Sequence, residues 1–416
     1  MKKKTLIAWL ITLSLLTMLV NAAGAQEDEI TITDLGTLGG DYSSAYGINN
    51  LGQVVGESET ADGKLHAFLW TEDTGMTDLG TLGGNWSTAY GINDLGQVVG
   101  DSGTADSYTH AFLWSEDVGM TDLGWIIGNY SSARGINNLG QVVGDSGYAF
   151  LWTEADGMVD LGTLGGYGSY AYGINDFGQV VGESSTGLSS HAFLWTEVDG
   201  MIDLGMLPGR FYSYARGINN FGQVVGHSGH AFLWTEVDGM VDLGTLGGNF
   251  STASDINNFG QVAGSSETAD GGNEAILWTE TGGMISLGTI DSHAWGINDL
   301  GQVVGWRITA DGIQHATLWT ISTTPPPPDE LTEQLIEHIN GLVESDVINA
   351  GQGNSLTTKL ENVIKNLDKN KLKVACNKLY AFSNQVNSLV EEGVIGIEEG
   401  QNLLDSAGDI NIQICQ

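Results

Sequence analysis

Short apolar runs of four to six residues recur along most of this chain, separated by Gly, Asn and Asp. The first set covers 44–49, 53–57, 66–71 and 76–79, named a, b, c and d in that order. Runs this short, rich in Val, Ile, Phe and Trp and bounded by turn formers, predict strands. Run c, around Ala67-Phe68-Leu69-Trp70, is apolar on consecutive residues. That suits a sheet covered on both faces, whereas a helical solenoid requires a 3.6-residue pattern, which these runs lack.

The set repeats. The Ile of Gly47-Ile48-Asn49 returns at Ile92, Ile136, Ile174, Ile218, Ile256 and Ile297, with spacings of 44, 44, 38, 44, 38 and 41 residues. Four strands in about 40–45 residues mark one blade of a β-propeller. Runs a, b and c occur seven times, and the seventh set lacks its d. An unattached d run stands at 30–36, before the first a. The expected fold is therefore all-β: a seven-bladed propeller whose N-terminal strand closes the last blade beside Trp319 and removes an open edge. The 38-residue copies shorten the b–c connection, as at Ser146-Gly147 and Ser228-Gly229.

The triplets His66-Ala67-Phe68, His110-Ala111-Phe112, His191-Ala192-Phe193 and His230-Ala231-Phe232 resemble the HAF repeat, an extracellular repeat with no established activity. The resemblance spans 30–320, and Tyr148, Glu274 and Thr317 depart from the triplet.

After Trp319 the pattern changes. Pro325 to Pro328 form a stiff spacer. Beyond it Leu331, Leu335, Ile336, Ile339 and Leu342 take helical spacing, as do Leu360, Val363, Ile364 and Leu367, and then Leu379, Phe382, Val386 and Leu389. Three or four helices in this length predict a small α-helical bundle. Asn354-Ser355-Leu356, Ala375-Cys376-Asn377-Lys378-Leu379 and Glu399-Gly400-Gln401-Asn402-Leu403 resemble the FIMAH domain of secreted prokaryotic proteins, which implies an attachment or accessory module. At the other end Lys2, Lys3 and Lys4 precede an apolar run over 6–20 and the small residues Ala23-Gly24-Ala25, the pattern of a secretory signal peptide. The run is shorter than the roughly 20 residues of a membrane span. The expected division is a leader at 1–25, the propeller at 26–324, the proline linker at 325–328 and the helical domain at 329–416. The expected location is secreted, extracellular or on the cell surface. In that oxidising setting Cys376 and Cys415, the two cysteines, are expected to form a disulfide.

Composition sharpens this. Lys+Arg number 14 and Asp+Glu 51, a formal charge of −37. Binding to nucleic acid through a basic surface is thereby excluded, because phosphate neutralisation needs clustered cations. The 61 glycines belong mostly to the turns of the repeat.

Candidate chemistry is sparse. The recurring His (His66, His110, His191, His230 and His315) opens run c in five blades and a Trp closes it in all seven, which suits structural hydrogen bonding and core packing. The d–a loops carry Tyr42, Trp86, Tyr130, Tyr167, Tyr212 and Phe250, aromatics suited to stacking on a sugar or a protein side chain. They share a face with the b–c loops, the more variable face and so the candidate binding surface. Asn85-Trp86-Ser87, Asn129-Tyr130-Ser131 and Asn249-Phe250-Ser251 are formal glycosylation acceptors. The opposite face is expected to be acidic, with Glu72, Asp73 and Asp78 and their copies. Weak Ca²⁺ binding there is the one metal reading; no EF-hand-type loop names a site, and no other cofactor is implied. Arg134 and Arg216 stand where Tyr46, Tyr90 and Tyr172 stand in other copies, and are expected to line the central channel, where they could receive a carboxylate. No Gly-x-Ser-x-Gly, His-Glu-x-x-His or phosphate-loop motif occurs. The reading is a secreted, non-enzymatic binding or scaffold protein whose partner is a glycan or an extracellular protein. The alternatives are an extracellular propeller glycoside hydrolase and a purely structural component of the cell envelope.

Overall fold

The computed structural model describes residues 29–322 and 328–415, apart from 346, 368, 370 and 392. The leader reading and most of the proline run lie outside the described residues. Seven four-stranded antiparallel sheets follow one another as blades, giving the seven-bladed β-propeller. In blade one the strands are a (Gly39–Ile48), b (Val54–Thr60), c (Leu65–Thr71) and d (Gly75–Asp78). Strand a begins earlier than the apolar run suggests, because Leu38 bridges Thr60 and draws the d–a loop alongside strand b.

Blade seven is completed as expected. The N-terminal strand Glu29–Asp34 pairs with Gln314–Ser322, setting Ile32 opposite Trp319. His315 Nδ1 lies 2.9 Å from Asp34 Oδ2, repeating across the closure the contact that His66 makes with Asp78 at 2.8 Å within blade one.

The core lies between blades. Phe68, Phe112, Phe150, Phe193 and Phe232, one per blade, are fully buried, each contributing roughly 1.5–3 kcal/mol by leaving water. Trp70 packs partly buried against the same cluster as Phe68, and Trp319 is fully buried. Space dictates the glycine of strand b: a Cβ on Gly56 would stand 2.0 Å from the Ser44 carbonyl oxygen, so no side chain fits. A serine ties each blade to the one before. Ser87 Oγ accepts from Ala67 N at 2.8 Å and donates to Gly80 O at 2.6 Å. That contact explains the serine of the Asn-x-Ser triplets, since Ser131 and Ser251 occupy the same position.

The helical region has four helices: α1 (Pro328–Glu344), α2 (Ala350–Leu367), α3 (Leu372–Glu391) and α4 (Ile397–Ile414). Leu335, Ile339, Leu356, Leu360, Leu379, Phe382, Leu403 and Ile410 form one core. The turns after α1 and α3 are built alike, which the periodicity alone does not reveal. After α1, Val347 N and Ile348 N both donate to Leu342 O; after α3, Val394 N and Ile395 N both donate to Leu389 O. Cys376 and Cys415 form the disulfide, joining α3 to the residue after α4. Closing a loop of sequence separation 39 contributes about 3–4 kcal/mol in the chain-entropy model.

Candidate functional site: the central channel

Strand a of every blade faces the central channel, and the channel has two chambers. The narrower, about 160 Å³, opens on the face of the a–b turns. The wider, about 430 Å³, lies towards the loop face. They meet at Ile48, Ile92, Ile136, Ile174 and Ile218, and at Asp255.

The lower chamber is a closed polar belt. Asn49 Nδ2 donates to Asn93 O at 3.0 Å, and the bond repeats through Asn137, Asn175, Asn219 and Asn257 to Asn298, whose Nδ2 reaches Asn49 O at 3.0 Å. Each Asn also holds its own turn: Asn49 Oδ1 accepts from Leu51 N at 3.1 Å and Gln53 N at 2.9 Å. A second belt runs outside the first. Asn50 N donates to Asp94 Oδ1 at 2.8 Å, and the sequence Asn50, Asp94, Asn138, Asp176, Asn220, Asn258, Asp299 returns with Asp299 N on Asn50 Oδ1 at 2.9 Å. These belts were open to sequence reasoning, because the Asn recurs in all seven copies.

The upper chamber is lined by Tyr46, Tyr90, Arg134, Tyr172, Arg216, Ser254 and Trp295, the residues just before the recurring Gly (Asp255 in blade six). Here the copies differ. Arg134 and Arg216 line the channel, each guanidinium lying over the tyrosine of the preceding blade: Cζ is 4.1 Å from the Tyr90 ring centre and 4.3 Å from that of Tyr172. Strand b brings a second set of unlike residues behind them: Glu57, Asp101, Asp145, Glu183, His227, Ser265 and Trp306.

Glu57 Oε1 accepts from Tyr42 Oη at 3.1 Å and Tyr46 Oη at 3.0 Å, while Oε2 accepts from Thr88 Oγ1 at 2.7 Å. Glu183 accepts from Tyr172 Oη at 2.7 Å. Burial pushes Asp145 up to about 6 against the opposing pull of Arg134, and burial raises Asp101 as well. Burial, aided by Arg216, lowers His227 to about 4 and His293 to about 3, so both imidazoles are neutral near pH 7. At the waist, burial pushes Asp255 up to about 7, although Ile256 N and Ile297 N donate to its carboxylate at 2.9 and 3.1 Å. Several buried polar atoms around this chamber have no hydrogen-bond partner among the described residues: Ser44 Oγ, Asp101 Oδ1, Ser132 Oγ, Arg134 Nε, His227 Nδ1 and Trp295 Nε1.

Four of the six loop-face aromatics do not line the chamber but stand close to residues of strands a and b around it. Tyr42 shares Glu57 with Tyr46. Tyr130 feels the charges of Asp145 and Arg134. Tyr212 stacks on Tyr214 at 5.1 Å, and His227 lies 5.9 Å from Phe250. Trp86 lies instead against Gly103, where an added Cβ would meet Nε1 at 3.0 Å. Tyr167 is 93% exposed and stands apart.

The acidic copies require a correction. Glu72 and Asp73 occupy the exposed c–d turn, but Asp78 ends strand d, at the end away from that turn, where His66 and Gly80 N engage it. The pairing recurs at His110–Asp122, His191–Asp203 and His230–Asp242, so these carboxylates serve blade structure. Among the described residues no three His, Cys, Asp or Glu side chains converge as a metal site. The turn face is also apolar, a feature the charge count obscures: Leu51, Leu95, Leu139 and Leu300 are 63–69% exposed, with Phe221 and Phe259 exposed beside them.

No helix among the described residues is long and apolar enough to cross a membrane. The sequence matches no family model and no curated protein sequence. Among solved structures, the β-propeller domain of the Trilobed protease from Pyrococcus furiosus aligns at 10% identity and a TM-score of 0.44, covering 67% of this chain and 95% of that one. The BP39L lectin from Burkholderia pseudomallei aligns at 10% identity and 0.40, covering 72% and 97%. XC5397 from Xanthomonas campestris, a gluconolactonase, aligns at 10% identity and 0.36, covering 72% and 92%. A protease domain, a lectin and a lactonase share no one activity, and they assign none to this chain.

Proposed function

We propose that this chain is a secreted, non-enzymatic binding protein built of HAF-type repeats, which presents the loop-face mouth of its channel to a glycan. The observation that carries the reading is the upper chamber. Six of its seven blades bear an aromatic or an arginine there, unlike residues in unlike blades, and unpartnered polar atoms surround it. Aromatic faces stack on sugar rings, and the two guanidiniums of the lining can donate to hydroxyl groups. The leader at 1–25 delivers the protein outside the cell, and the proline linker holds the FIMAH-like bundle as an accessory domain.

A glycan array with wild type, Tyr46→Ala and Trp295→Ala, two residues of the chamber's lining, tests this. Wild type is expected to bind, and each variant to lose roughly tenfold or more, as stacking contacts of this kind carry about 1–3 kcal/mol. Retained binding in both variants would count against the chamber. Hydrolysis of any glycan, abolished by a single carboxylate change, would overturn the non-enzymatic reading. A second reading, a structural component of the cell envelope, is favoured by the exposed Leu and Phe of the turn face, since large apolar patches mark contact surfaces.

A further inference from the structure

The upper chamber is polarised. On one side Arg134 and Arg216 flank Tyr172 in blade order, and both charges act on its hydroxyl. On the other side Trp295 and Tyr46 stand with ring centres 6.0 Å apart. Among the described residues, no carboxylate oxygen lies within ion-pair distance of Arg134 or Arg216, whereas Arg307 does approach Asp34 at 3.9 Å. Of the nearby carboxylates, Glu57 and Glu183 accept from tyrosine hydroxyls, while Asp101 and Asp145, on strand b behind the lining, act on Arg134 from beyond ion-pair distance. The two histidines are neutral near pH 7, which leaves the guanidiniums as the cations of the chamber.

We propose that this chamber takes the carboxylate of an acidic sugar between Arg134 and Arg216, with the sugar ring against Trp295 and Tyr46. The inference rests on the glycan-binding reading and names the sugar class. A cationic ligand is disfavoured, because the arginines already cover the faces of Tyr90 and Tyr172. A neutral sugar would leave the guanidiniums without an anion at contact distance. A planar carboxylate matches the two parallel N–H bonds that a guanidinium offers. The chamber, at about 430 Å³, has room for a sugar ring.

Calorimetric titration of the full chain tests the assignment. The probes are a glucuronate-terminated oligosaccharide, its carboxyl-reduced counterpart, its sulfated counterpart and a short peptide ending in glutamate. The glucuronate form is expected to bind roughly 10–100-fold more tightly than the reduced form. Arg134→Gln and Arg216→Gln should each erase most of that preference, and Arg216→Lys should keep part of it. Equal binding of the reduced or sulfated form, or a preference that survives both glutamine variants, overturns the acidic-sugar site and leaves the glycan reading standing. Binding of the peptide but of no saccharide overturns both. The comparison of probes on wild type requires no variant, so it decides the question even where a substitution prevents folding.

Discussion

The two chambers of one channel are built by opposite rules. Below, the same asparagine stands in all seven blades, and its side-chain amide links each blade to the next until the ring closes. Above, seven equivalent positions hold Tyr, Arg, Ser and Trp, and polar atoms lack partners. A belt of identical bonds stabilises a ring, because every joint is the same joint. A ligand has no such symmetry, so a site for it requires the copies to differ. The contrast separates what holds this disc together from what it can recognise.

The largest expected effect strikes the lower belt. Asn298→Ala removes donors to Asn49 O and Gln302 Oε1 and acceptors for Leu300 N and Gln302 N. It should cost about 2–4 kcal/mol, since buried partners are left unsatisfied, while glycan affinity stays unchanged. Urea unfolding measures the first and calorimetry the second; a loss of affinity without a loss of stability would invert the comparison.

The waist lies between the two rules. Asp255 replaces the glycine of the other six copies, and its acid is pushed up to about 7. A folded-state value above the unfolded one means that the folded chain holds the proton longer. The contribution of Asp255 to stability is therefore greatest at low pH and is lost as pH rises from about 4 to about 7. Relative to Asp255→Asn, wild type should lose about 1–4 kcal/mol between pH 4.5 and pH 8. A difference independent of pH would show that the carboxylate is not buried as described.

The smallest effect belongs to the upper tier. Ser44 is buried, and its Oγ has no hydrogen-bond partner among the described residues. Ser44→Ala should change stability by less than about 1 kcal/mol in either direction. A destabilisation as large as that of Asn298→Ala would end the distinction between a structural tier and an open one.

Much of the architecture was legible in the chain. Four apolar runs per period mark a blade, and the unattached run before the first blade finds its place beside Trp319. Helical spacing from Leu331 to Leu389 marks the bundle, and Cys376 with Cys415 its disulfide. The position of Asp78 was misjudged, because a run of acids in sequence says nothing of which end of a strand each one occupies. The Asn belts went unread although every copy displays them: a motif seen as strand and turn hides a side chain that reaches into the next blade.

By itself the sequence determined the ring, its seven blades, its closing strand and the identity of each unlike residue. Local periodicity and turn chemistry act over a few residues and are copied, so one chain repeats the instruction seven times. Only the tertiary structure decided that Arg134, Arg216, Tyr46 and Trp295 share one chamber. They span Tyr46 to Trp295 in the chain and become neighbours because the ring returns on itself. It likewise decided which polar groups are satisfied, since a hydrogen bond between blades depends on packing across the ring and not on the run of residues along it.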